Sequence, residues 1–220
     1  NYMVSYAVHC ATLRLMERQG FQFKYGFSSG KECKKYNKKY SSLYAECAKE
    51  IRSGGYKIYT SFDQSIQEKL QKSVTEGLSK ELEGAAVCVD NSSQMIVAIV
   101  GGKSEKDEFN RAFLSERNPG SSIKPLLDYG PALNEGVATP ATVLNDEPID
   151  YNGYSPKNAY SGHLGPITVR EALARSVNTV AVKLFQQTGN DVCLSYLEKM
   201  KFSSLCYADS TIASISLGGM

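Results

Sequence analysis

The sequence predicts an α/β (α+β) sandwich, an antiparallel central sheet with helices on both faces. Two strand-length apolar runs, Gly84–Asp90 and Met95–Gly102, are separated only by the polar stretch Asn91-Ser-Ser-Gln94, which reads as a hairpin. Apolar residues at four-residue spacing before it, and a capping pattern well after it, read as helices able to cover that hairpin. A chain of 220 residues with 42% hydrophobic composition is long enough for one substantial core and a smaller accessory unit.

From the N-terminus, Met3, Ala7, Leu13 and Met16 give a helix-like pattern that breaks in the Gly/Ser stretch from Gly26 to Gly30. The lysine-rich run Lys31–Tyr40 follows, with interleaved tyrosines, and is expected to be a solvated helix face or loop. After Gly54-Gly55, the alternation in Tyr56–Phe62 suggests a strand. Asp63 is placed to cap a helix over roughly 64–82, whose stripe is Ile66, Leu70, Val74 and Leu78. Because both hairpin runs are apolar almost throughout, both faces are expected to be covered. Tyr151 to Ser161, rich in Tyr, Asn, Gly and Pro, reads as a loop, either over a cleft or on the plain surface. Further on, Thr168-Val-Arg-Glu171 has the form of a capping box. Asn178 can cap a further helix through Val180, Val182, Leu184 and Phe185 to a stop near Gly189. The segment Ser176 to Asn178 is then a tight connection that holds side chains rigidly.

Several classes are disfavoured. A net charge of +2 gives no reason to expect nucleic-acid binding. The longest aliphatic run, Met95 to Val100, falls far short of the roughly 20 apolar residues that span a bilayer. The N-terminus lacks the basic and apolar regions of a signal peptide, so the chain is expected to begin inside a larger protein. Six cysteines (Cys10, Cys33, Cys47, Cys88, Cys193, Cys206) show no C-x-x-C spacing, and only His9 and His163 accompany them, so no metal and no cofactor is expected. A pair such as Cys33 with Cys47 could form in an oxidising compartment, but spacing fixes no disulfide. Cys88, in an apolar run, is expected to act as a small core residue.

The chemistry is concentrated in Arg117-Asn-Pro-Gly-Ser-Ser-Ile-Lys-Pro125. Ser121 and Lys124, three apart on a helix, share a face, so the amine can meet the hydroxyl. Pro125 is tolerated only near a helix start, which places that start close to Ser121. Unpaired first-turn N–H groups there can stabilise charge developing on an attacked carbonyl, and Gly120 lets substrate approach. Serine needs a base, and a desolvated lysine can lose its proton and serve. Ser28-Ser-Gly-Lys31 has the same spacing but no proline-limited helix start, and is expected to be a chance copy.

Ser176-Val-Asn178 follows about 50 residues after the lysine. The hydroxyl could relay a proton to the leaving group, and the amide could bond substrate and lysine. Taken alone, the pair reads better as a helix cap at Asn178 and an ordinary loop serine at Ser176; the order of the two motifs favours the catalytic assignment instead.

S-x-x-K followed by S-x-N resembles the signature of penicillin-binding proteins, specifically class A. The stretches Gly54–Asp63, Asn110-Arg-Ala, Arg117–Pro125 and Gly165–Asn178 with Ala181-Val-Lys183 carry the resemblance from about residue 54 onward. It implies a penicillin-binding/β-lactamase-like fold, with a linker over 1–54 and the N-terminal part of a transpeptidase domain over 55–220. It implies a D,D-transpeptidase in which Ser121, Lys124, Ser176 and Asn178 are catalytic, peptidoglycan stem peptides ending in D-Ala-D-Ala are substrates, and β-lactams are inhibitors. It also implies the extracytoplasmic face of a bacterial membrane, with an N-terminal anchor outside this chain. Asn118 stands where the family usually has glutamine. The third motif, K-[TS]-G, is absent in the right order, since Arg52-Ser-Gly54 precedes the nucleophile. That strand supplies an oxyanion donor, worth on the order of 10²-fold or more in rate. The missing strands are expected on an associated C-terminal fragment of the same protein. The alternatives are a β-lactamase or D,D-carboxypeptidase built on the same dyad, and a non-catalytic penicillin-binding sensor module.

Overall fold

The computed structural model describes residues 1–104, 109–151, 153–205 and 213–219; Cys206, Met220 and Asn152 of the expected loop lie outside them. The chain divides into two compact units, one of residues 1–23 and 36–116, the other of residues 24–35 and 117–220.

In the first unit, α1 (Tyr2–Arg18) starts where the Asn1 side chain accepts from the Met3 N–H. Met16 of α1 is buried with Phe21 and with Cys47 of α2 (Gly30–Ser53). Tyr36, Tyr40 and Tyr44, four apart, stack along one side of α2 with ring centroids 6.3 and 5.8 Å apart. Lys31, Lys34, Lys35, Lys38 and Lys39 are exposed, as expected of a solvated helix face.

Asp63 caps α3 (Gln64–Gly77), its Oδ1 accepting from the Ile66 N–H at 2.9 Å. The helix ends five residues earlier than its hydropathy predicts, and its buried residue is Gln67 rather than Ile66, which is exposed. Gln67 exchanges two hydrogen bonds with the Ile99 backbone, Nε2 donating to its O at 2.9 Å and Oε1 accepting from its N–H at 2.8 Å. Gln71 donates similarly to the carbonyls of Gly102 and Lys103. The helix thus satisfies strand-edge backbone that would otherwise be buried unpaired, and this determines which face turns inward.

The hairpin forms as expected: β1 (Ala86–Val89) pairs antiparallel with β2 (Ile96–Val100), Ala86 opposite Val100. Ala98, Ile99 and Val100 are buried, whereas Val87 and Val89 of β1 remain 45% and 48% exposed, so one face of β1 lacks the expected cover. Cys88 is half-buried. Tyr56–Phe62 forms no strand, because its alternation finds no continuous partner. Ser61 Oγ and the Asp63 N–H reach β2, donating to the carbonyls of Ile96 and Val97. Asn110, fully buried, caps the short α4 (Arg111–Leu114) and donates to the Tyr2 carbonyl.

The second unit is built around α7 (Asn178–Thr188). Thr179, Val180, Ala181, Val182, Leu184 and Phe185 are all buried, so its first two turns are covered on most sides, while Gln186 and Gln187 near its end are exposed. Val180, Ala181 and Leu184 pack with Tyr129, Ala132 and Ile167, while Val182 and Phe185 pack with Ile123, Leu127 and Leu197. Each of the Val, Ile, Leu and Phe side chains among them contributes about 1.5–3 kcal/mol by leaving water. Gly189, at φ +95°, ends the helix at the expected position. A second antiparallel pair, β3 (Val143–Asp146) with β4 (Gly165–Thr168), leads through the Thr168 cap into α6 (Val169–Ala174), Thr168 Oγ1 accepting from the Glu171 N–H. α5 (Gly130–Asn134) and α8 (Asn190–Lys199) complete the helices around α7.

Candidate active site

The segment carrying Ser121 and Lys124 is not a regular α-helix. Gly120–Ile123 is a 3₁₀ turn, followed by a π turn over Pro125–Tyr129 that runs into α5. In a 3₁₀ turn, side chains three apart lie one above the other, so Ser121 and Lys124 are brought into line more closely than on an α-helix. The Lys124 N–H donates to the Ser121 carbonyl, and Pro125, which has no N–H, opens the π turn. Gly120 takes φ +56° at the start of the turn. Gly218 abuts it so closely that a Cβ at 218 would lie 2.3 Å from the Gly120 carbonyl oxygen.

Ser121 and its neighbour Ser122 are both exposed. Ser122 Oγ donates back to the Pro119 carbonyl at 2.6 Å, whereas the Ser121 hydroxyl has no hydrogen-bond partner among the described residues. Lys124 is 1% exposed, between Ile123 and the turn that carries Leu127 into the core. Its Nζ donates to the Ser176 carbonyl at 2.8 Å, to Ser176 Oγ at 3.1 Å and to Asn178 Oδ1 at 2.5 Å. Three of the four residues singled out by motif therefore meet at one amine, and the fourth, Ser121, stands exposed one turn before it.

Burial pushes the Lys124 amine down to about 8, against an upward pull from Asp128. Asp128 is fully buried four residues on, and neither of its oxygens has a hydrogen-bond partner among the described residues. Burial holds its carboxyl well above the ordinary carboxylate range, with Lys124 pulling the other way. Both groups are thus driven toward their neutral forms, and a neutral lysine can accept a proton.

Ser176 takes φ +54°, a left-handed conformation uncommon outside glycine, which turns the chain between α6 and α7 and presents both its carbonyl and its hydroxyl to Lys124. Asn178 does not cap α7 with its side chain. It is the first helical residue, and Val177 occupies the cap position without a side-chain bond. The Asn178 amide is used tertiarily, Nδ2 donating to the Lys157 carbonyl at 2.6 Å and Oδ1 accepting from Lys124. The loop over 151–161 is tied to this site, since Asn158 Oδ1 accepts from the Asn178 N–H at 2.9 Å. That loop also borders a hollow of about 640 Å³ lined by Ile149, Pro156, Lys157, Asn158, Tyr160 and His163, among others.

The second S-x-x-K copy lacks this arrangement: Ser28 Oγ donates to Glu32, and Lys31 is exposed. Among the described residues no group of three or more His, Cys, Asp and Glu side chains could hold a metal. No disulfide joins Cys10, Cys47, Cys88 or Cys193. Among the described residues no helix is long and apolar enough to cross a membrane.

A short turn that aligns a serine with a buried lysine, closed by a serine and an asparagine from a second helix start, brings together the groups that serine acyl transfer needs. The chain belongs to the penicillin binding protein transpeptidase domain family, whose model matches residues 84–214. It is 32% identical to penicillin-binding protein 4 of Bacillus subtilis (strain 168), over 98% of this chain and 34% of that protein. A crystal structure of penicillin-binding protein 1A from Haemophilus influenzae matches with a TM-score of 0.53 and 35% identity, over 62% of this chain and 21% of that one. PonA1 from Mycobacterium tuberculosis, solved in complex with penicillin V, matches with a TM-score of 0.66 and 20% identity, over 95% of this chain and 52% of that one. The chain thus spans about a third of the length of its Bacillus relative.

Proposed function

We propose that this chain carries the acyl-transfer centre of a class A penicillin-binding protein, a D,D-transpeptidase that cross-links peptidoglycan stem peptides and is acylated by β-lactams. Ser121 is the nucleophile and neutral Lys124 its base. As Ser121 Oγ bonds to the penultimate D-Ala carbonyl carbon, its proton passes to Lys124 Nζ. The terminal D-Ala amine leaves with a proton relayed through Ser176 Oγ. The resulting acyl-serine is then attacked by an amine of a neighbouring strand, which regenerates the hydroxyl. A β-lactam follows the same first step, but its leaving nitrogen stays tethered to the acyl group. Asn178 orients Lys124 through Oδ1.

The observation that carries this proposal is the buried Lys124 amine, held by Ser176 and Asn178 and lowered by burial, one turn from an exposed and unbonded serine hydroxyl. The family match and a related protein solved with penicillin V support the chemistry. Residues 1–54 serve as the linker to a preceding domain, and a segment outside this chain anchors the protein at the extracytoplasmic face of the membrane. Further strands of the same protein bear the third motif.

Labelling of the intact protein and of Lys124→Ala by a fluorescent penicillin tests the assignment. Loss of the base is expected to slow labelling by about 10²–10⁴-fold. Equal labelling of the two proteins would refute lysine as the base.

A further inference from the structure

One carboxylate outside the motifs gathers more hydrogen bonds than any of the four motif residues. Asp146, the last residue of β3, is 1% exposed. Its Oδ1 accepts from Asn158 Nδ2 at 2.8 Å, His163 Nδ1 at 3.0 Å and Thr179 Oγ1 at 2.6 Å. Its Oδ2 accepts from Tyr160 OH at 2.6 Å and the Leu164 N–H at 2.8 Å. Four of these donors come from the 158–164 segment and the fifth from α7, one residue after Asn178. Burial pushes the carboxyl upward, but the bonds from Thr179, Tyr160, His163 and Leu164 outweigh it and hold the group well below the ordinary carboxylate range. It is therefore an ionised, acceptor-only group at neutral pH. The nearest cation on α7, Lys183, is engaged elsewhere, donating to Glu147 and to the Asn145 carbonyl at 2.7 Å each.

An acceptor-only group has a directional consequence for an amide. Asn158 must turn its Nδ2 toward Asp146, which leaves its Oδ1 for the Asn178 N–H. Lys157, held in the same segment, offers a carbonyl, so Asn178 must turn its own Nδ2 there and its Oδ1 toward Lys124. Resting on the assignment of Lys124 as base, we propose that Asp146 is a positioning residue of the acyl-transfer centre. Its carboxylate sets the polarity of Asn158 and docks the 157–164 segment on α7, so that Asn178 presents an oxygen, not an NH₂, to the lysine.

Replacing Asp146 with Asn lets that position donate, frees Asn158 to flip and sets donor against donor at the Asn178 N–H. Exchanging the two groups in Asp146→Asn/Asn158→Asp restores the polarity, because a carboxylate at position 158 can accept from both sides. Tyr160→Phe removes one bond to Asp146 without altering any amide, and serves as the stability control.

The test measures the rate of fluorescent-penicillin acylation of the intact protein against pH, together with melting temperature. Asp146→Asn is expected to be slower than Tyr160→Phe by roughly tenfold or more, a cost of the order seen when a buried polar pair is mismatched. Its acid limb is expected to move to lower pH, because Lys124 loses an acceptor that favours its charged form. The exchanged double variant is expected to recover most of the rate. Parental rate and pH profile in Asp146→Asn would overturn the proposal, and so would a folded double variant no faster than that single one. If Asp146→Asn does not fold, the double variant is read against Tyr160→Phe instead: a rate close to that control supports the proposal, and a folded double variant roughly tenfold or more slower than it would overturn the proposal. Failure of the underlying assignment is distinguishable, because it shows as unimpaired labelling of Lys124→Ala in the parental background.

Discussion

The amine of Lys124 and the amide oxygen of Asn178 stand 2.5 Å apart across 54 residues of chain. That bond joins the end of the Ser121 turn to the start of α7, and α7 is held in place by its buried residues. An amine held by a core helix has little freedom to move, and most of the expected behaviour follows from this relationship.

The first prediction concerns pH. Only the neutral amine can take the Ser121 proton, and burial lowers Lys124 from its ordinary value to about 8. The acylation rate should therefore rise as pH increases, pass through its half-maximum near that value and level off above it. A stopped-flow series with a chromogenic β-lactam reads this directly; a rate constant independent of pH across that range contradicts it.

Asn178→Asp puts a carboxylate against the Lys124 amine. The opposite charge favours the ammonium, so the acid limb should move up by about one unit or more, with neutral-pH acylation roughly tenfold slower or worse. The shift is opposite in sign to that expected for Asp146→Asn, so the two variants together separate polarity effects from simple damage.

Ser176→Gly separates backbone from hydroxyl. Glycine adopts the φ +54° conformation without the steric cost of a side chain, so thermal stability should stay within about 1 kcal/mol of the parent. Acylation should nevertheless fall, because Ser176 Oγ no longer lies beside Lys124. Calorimetry and penicillin labelling of the same sample check both halves.

Gln67→Ala removes a side chain that pairs with both backbone groups of Ile99. Leaving a buried N–H and C=O without partners should cost about 2 kcal/mol or more, measured as a lowered urea midpoint. A midpoint within error of the parent would show that another group closes the β2 edge.

How much of this was legible in the sequence depended on range. The hairpin, the Asp63 and Thr168 caps and the Gly189 stop are set by residues a few positions apart, and each lies where its spacing predicted. Hydropathy misassigns the inward face of α3 because it counts Gln67 as solvent-facing, whereas the β2 backbone takes an amide there. Tyr56–Phe62 alternates like a strand, yet alternation does not supply a pairing partner. Asn178 has cap chemistry, but a buried lysine and a loop carbonyl compete for its amide and win. Asp146 gave no signal at all, since its side-chain donors lie 12 to 33 residues away and assemble only when the 158–164 segment folds onto α7. Within that segment, the His163 ring and the Tyr160 hydroxyl act as ordinary donors whose meaning comes from the carboxylate they share.

The mechanism requires a covalent bond to one hydroxyl. Peptide mapping by mass spectrometry of the intact protein after brief exposure to penicillin tests it most directly. The expected result is a single penicilloyl group on Ser121, absent from Ser121→Ala. An adduct on Ser122, on Ser28 or on any other residue, or one that persists in Ser121→Ala, would contradict it.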